Sequence, residues 1–117
     1  MEIDNKKLFA HHIPDDLLQK GISLQFMGYF DVVWEKEDCI KVIEILIKKR
    51  ILVLGGDVFV FQNNEFKPTD GSWFIEPSSV LPTDDDLIRS KIKAIDYMNK
   101  FSNKNGRAFY FSIVYRK

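Results

Sequence analysis

Around Arg50 the hydrophobic repeat of this chain changes period within two residues, and this change limits the fold more than any other feature. Over residues 36–49, Cys39, Ile40, Ile43, Leu46 and Ile47 recur at spacings of three and four, with Lys41, Glu44 and Lys48 between them. That spacing predicts an amphipathic helix. Immediately afterwards come Ile51-Leu52-Val53-Leu54 and Val58-Phe59-Val60-Phe61, the β-branched and aromatic runs of strands. Glu35, Glu37 and Asp38 open the helix and Lys48-Lys49-Arg50 closes it, the charge order that complements the helix dipole. Trp34 and Cys39 are spaced as a hydrophobic staple around a cap at Glu35. A helix feeding directly into strands, within 117 residues, leaves room for one domain of mixed class.

The remaining elements extend this plan. Pro14 and Gly21 bracket one or two helical turns, and residues 22–34 read as irregular chain or a short strand. Gly55-Gly56-Asp57 predicts a hairpin turn, with a bulge as the other reading of the same glycines. Asn63-Asn64 and Pro68-Thr69-Asp70-Gly71 are further turn signals, and residues 65–67 and 72–76 between and after them read as strands of a meander. Thr83 stands three residues before Asp86, a capping-box spacing. Leu87, Ile88, Ile92, Ile95, Met98 and Phe101 then mark one face of a second long helix, which Asn103 to Gly106 stops. Residues 107–115 are apolar in both phases, which suggests a central strand covered on both sides. The expectation is a single α+β domain over residues 1–117, with an antiparallel or mixed sheet of about four strands packed against two main helices. Residues 1–12 are expected to be flexible.

Composition and charge exclude several functions. Lys plus Arg and Asp plus Glu number 17 each, and the one basic run sits at a helix end, so nucleic acid is not an expected partner. Cys39 is the sole cysteine and falls on the apolar helix face, which suits a small buried hydrophobe rather than a nucleophile. No run of eighteen apolar residues and no signal-like segment is visible, so the expected compartment is the cytoplasm, with no membrane association. Asp84-Asp85-Asp86 point about 100° apart on a helix and serve its positive end better than a metal ion. His11 and His12 lack partners at zinc spacing and read as flexible surface residues. No metal, cofactor or catalytic constellation is expected, and therefore no enzyme.

Residues 13–76 carry a resemblance. Ile13 to Ser23, the following helix, Leu54-Gly55-Gly56-Asp57-Val58 and the later Pro68 to Trp73 occur in an order similar to a family of immunity proteins from bacterial polymorphic-toxin systems. Members carry a Leu-Gly-Gly-Asp-Val element after a helix and an Asn-Trp or similar pair in a later strand. Here Ser72 takes the place of that Asn. The resemblance implies a protein without chemistry that covers a cognate toxin in the cytoplasm. Asp57, Asp70, Trp73 and Glu76 are the expected contact residues, on a turn formed by Gly55 and Gly56, with core packing as the other reading of Trp73. Gly55 to Phe59 is also similar to the signature turn of diguanylate cyclases, but Val58 occupies its acidic fourth position. The alternative function is a small-molecule or nucleotide-binding module that uses the Gly55-Gly56-Asp57 turn to approach a phosphate. A third is a homodimer that pairs exposed strands; the sequence leaves oligomeric state open.

Overall fold

The computed structural model describes residues 5–116. Its helices are α1 (Lys7–Ala10), α2 (Asp15–Lys20), α3 (Lys36–Lys48) and α4 (Asp84–Met98). Its strands are β1 (Ile22–Ser23), β2 (Val32–Glu35), β3 (Leu52–Gln62), β4 (Glu65–Phe74), β5 (Ala108–Phe111) and β6 (Val114–Arg116). All strand pairs are antiparallel, in the order β1-β2-β5-β3-β4, with β6 pairing along β3 beyond the end of β5. The fold is α+β, as expected, with six strand segments rather than four.

Both faces of the sheet are covered over part of their area, by different means. On one face Val53, Val58, Trp73 and Phe111 pack with Val42, Ile43 and Leu46 of α3 and with Ala94 and Met98 of α4. On the other, Val33, Phe59 and Phe66 pack with Leu24 and Met27 from the segment between β1 and β2. β5 lies between β2 and β3, so Phe111 enters the first cluster and Tyr110 the second. This is why residues 107–115 are apolar in both phases.

Four expectations need correction. Gly55-Gly56-Asp57 forms no hairpin turn but follows the bulge reading of the same glycines: β3 runs through it as one strand, with register shifts on both sides. Pro68-Thr69-Asp70-Gly71 is likewise inside β4. Asp57 pairs with Ser72 and Phe59 with Pro68, so three residues of β4 stand opposite Val58 alone. Turn-type residues here accommodate a bulge, and Pro68 is tolerated because β4 is an edge strand. The true hairpin turn is Asn63-Asn64, both at positive φ. Residues 5–12, expected to be flexible, make packing contacts: Phe9 meets Trp34 edge-on at 5.1 Å, and His12 meets Tyr115 at 5.6 Å. Residues 1–4 of that segment lie outside the described residues. Finally, α4 buries Leu87, Ser90, Ala94 and Met98 while leaving Ile88 and Ile92 more than half exposed. Small residues let the helix lie close on β3, where the Ser90 hydroxyl donates to the Val53 carbonyl at 2.5 Å. The largest apolar residues therefore do not mark the contact stripe.

The three consecutive aspartates diverge to three tasks. Asp84 pairs with Arg50, Asp85 approaches Arg89 at 3.9 Å, and Asp86 completes the capping box with Thr83. The Asp86 side chain is fully buried, which by itself would raise its pKa. Hydrogen bonds from the Ser78 hydroxyl and amide, the Thr83 amide and the Arg89 guanidinium outweigh that and hold it well below the ordinary carboxylate range. Its stabilisation is therefore complete above the unfolded value of about 3.9 and is lost as pH falls below that value towards the folded one. Asp86→Asn should lower stability at neutral pH and flatten the acid limb of urea midpoints followed from pH 7 downwards. An unchanged slope would remove Asp86 as the source of that limb.

Candidate functional site

The Gly-Gly-Asp element and Trp73 are cross-strand neighbours. Gly55 pairs with Phe74, Gly56 with Trp73 and Asp57 with Ser72. Neither glycine has a positive φ, so neither is there for a turn. They are there for close approach. A Cβ on Gly56 would lie 2.1 Å from the Ser112 carbonyl oxygen and 2.4 Å from Cη2 of Trp73. One on Gly55 would lie 2.1 Å from the Trp73 carbonyl oxygen. The Trp73 indole thus packs against a strand stripped of side chains, with Tyr97 of α4 at 5.7 Å from it. Ser112 locks the same point from the other strand: its amide donates to the Asp57 carbonyl at 3.0 Å, and its hydroxyl accepts from the Asp57 amide at 3.3 Å.

Alternation along β4 divides the expected contact residues between two faces. Gly71, Trp73 and Ile75 are turned inward, and Trp73 is 5% exposed. Trp73 is therefore a core residue and not a surface anchor. Asp70, Ser72, Phe74 and Glu76 are the exposed phase, and Asp57 is exposed opposite Ser72. The structure thus separates Trp73 from Asp57, Asp70 and Glu76, which it leaves open to solvent.

Sequence reasoning missed the apolar part of this surface. Phe74 is 65% exposed and Val114 53%, and with Leu54, Gly55 and Asp57 they border a shallow groove beside the double glycine. A second groove shares Val114 and continues past Asp31, Phe30 and Leu8. Phe74 carried a signal, because it stands in the exposed phase next to an inward Trp. Asp31 and Phe30 come from an irregular segment and carried none. Burial first, and the charge of Asp57 second, push the Asp31 carboxyl above its ordinary range. Among the described residues neither Asp31 nor Asp57 has an ion-pair partner.

The nucleotide reading loses its basis in this geometry. It needs a glycine turn with free amides, whereas Gly55-Gly56-Asp57 is a strand and the Asp57 amide is already bonded. The groove beside it has a carboxylate and no cation in its lining. Cys39 is fully buried, and burial pushes its thiol pKa far up, which leaves it unreactive.

The family model described as Immunity protein 40 matches residues 23–115. The chain belongs to that immunity-protein family. The Immunity protein 40 match begins inside β1 and ends inside β6, so it takes in the sheet, α3 and α4 and leaves α1 and α2 before it. Neither the curated proteins nor the solved structures contain a match to the chain. No helix among the described residues is long and apolar enough to cross a membrane.

The glycine and the carboxylate of the shared element should respond differently to substitution. Gly56→Ala forces a methyl group against a backbone carbonyl that cannot move away, and should cost about 2 kcal/mol or more in urea denaturation. Asp57→Asn, on an exposed side chain, should stay within about 0.5 kcal/mol of the parent. A well-tolerated Gly56→Ala would show that the close approach of Trp73 and Ser112 is not a constraint.

Proposed function

We propose that this protein is a non-catalytic immunity protein that neutralises a cognate toxin of a bacterial polymorphic-toxin system by binding it in the cytoplasm. Membership of the Immunity protein 40 family over residues 23–115 carries the reading. The sheet face around Phe74, Val114 and Asp57 is the binding surface. Three features support this choice. The face presents large apolar side chains at exposed positions, which single soluble domains ordinarily bury. It rests on a rigid sheet pinned by the Gly56–Trp73 contact, so little order has to be gained on binding. Exposed carboxylates at Asp57 on β3, and at Asp70 and Glu76 in and just after β4, add polar groups to the apolar ones, the mixture usual in a specific interface.

Co-expression with the toxin domain encoded beside this gene tests the reading. Growth should be rescued, and the two chains should co-purify. Phe74→Ala and Asp57→Ala should each weaken the complex by about tenfold or more with unchanged thermal unfolding, whereas Trp73→Ala should act through loss of folding. Absence of both rescue and complex with the folded parent chain would overturn the assignment. A tight complex indifferent to Phe74 and Asp57 would move the binding surface elsewhere.

A further inference from the structure

The second groove has a composition that the first lacks. Its volume is about 290 Å³, at the lower edge of the ~300–1,000 Å³ usual for small-molecule sites, so it suits a side chain better than a cofactor. Leu8, Phe30 and Val114 stand exposed at its rim, while Asn5 and Ile113 are buried in its lining. Asn5 is 1% exposed. Its Nδ2 donates to the Asp31 backbone carbonyl at 2.9 Å, and its Oδ1 is a buried acceptor with no donor.

Asp31 belongs to the same lining. Its backbone carbonyl is held by the Leu24 amide and by Asn5, so the chain is fixed while the carboxylate itself stays without an ion-pair partner among the described residues. Asp57 adds negative charge from the adjoining groove. The slot therefore offers the Asp31 carboxylate, with a second carboxylate nearby, beside apolar walls. It lacks a donor with an apolar stem, which is the chemistry of a lysine or arginine side chain.

We propose that this groove receives a lysine or arginine side chain of the cognate toxin, with its alkyl stem against Leu8, Phe30 and Val114 and its N–H groups on the Asp31 carboxylate. The proposal rests on the neutralisation reading for the identity of the partner, but the slot itself can be tested alone. Asn5 and Leu8 precede the family-matched span, so this wall of the groove is a feature that family membership does not supply.

The test is a titration of the full chain with n-butylguanidinium and n-butylammonium, followed by NMR, with n-butanol as the uncharged control. The cations should give saturable shifts at the Asn5 side-chain amide and at Leu8, Asp31 and Val114. n-Butanol should bind at least about fivefold more weakly. Asp31→Asn keeps the backbone bonds of residue 31 and should weaken cation binding about fivefold or more, with a native spectrum elsewhere. Equal binding of n-butanol, shifts absent from these residues, or an unaffected Asp31→Asn would each overturn the proposal. In the toxin complex, Asp31→Asn should cost about tenfold in Kd. A complex that forms with undiminished affinity for Asp31→Asn would sink the slot while leaving neutralisation intact. Failure of the parent chain to bind toxin would instead sink the neutralisation reading, and the butylguanidinium titration would still decide the slot.

Discussion

The packing of the Trp73 indole on the bare backbone of Gly56 is the contact on which the rest of the structure depends. It brings β4 against β3 at a separation that no Cβ would allow, and the Ser112 carbonyl reaches the same glycine from the other side. Truncating a buried Trp to Ala typically costs about 3–5 kcal/mol, and here the loss would also open the seam between β4 and α4, where Tyr97 meets the indole and accepts a hydrogen bond from the Ser72 amide. Because the indole is turned inward, the next residue of β4 is turned outward. Phe74 is exposed as a direct consequence of Trp73 being buried. The same pairing that completes the core therefore places the apolar residue at the centre of the outer face.

That outer face gains its character from what the sheet leaves uncovered. The segment between β1 and β2 shields Phe59 and Phe66, and with them one half of the sheet. Beyond it, the strands present two glycines, Phe74, Val114 and the carboxylates of Asp57 and Asp31. Net neutrality of the chain conceals this local acidity, since several cations are engaged elsewhere, although Lys93 stands 5.7 Å over the Phe74 ring. Arg50 ties α3 to the start of α4, Arg89 serves the Asp86 cluster, and Lys91 meets Glu44 across the two helices. A face of this kind favours a partner with complementary positive charge, and complementarity of charge sets partner choice and encounter rate more than raw affinity.

Much of the fold was legible from periodicity, and the misreadings share one cause. The helix at 36–49, the Thr83 capping box and the doubly covered β5 follow from local spacing and from apolar residues in one or both phases. The Gly-Gly-Asp and Pro-Thr-Asp-Gly elements were read as turns because composition reports backbone freedom, and bulges in paired strands need the same freedom. Only the pairing of Gly56 with Trp73, a contact between residues distant in sequence, tells the two apart. The α4 stripe was misplaced for a related reason: close helix–sheet contact selects Ser90 and Ala94, which hydropathy ranks low. At the site, Asp57, Asp70 and Glu76 were legible as polar residues beside glycine and proline. Trp73 was legible as important, but core and contact readings were equally open, and Asp31, in a segment without a period, could not be found until the fold brought it beside Asp57.

In the proposed complex the sheet face, and not the outer surfaces of the helices, meets the toxin. Hydroxyl-radical footprinting of the free chain and of the complex tests it most directly, since oxidisable apolar side chains are exposed on both sides. Phe74, Val114 and Phe30 should be strongly protected in the complex, with Ile88 and Ile92 of α4 and Val80 and Leu81 of the preceding loop as reactive as before. Protection of Ile88 and Ile92 with Phe74 and Val114 unchanged would contradict it.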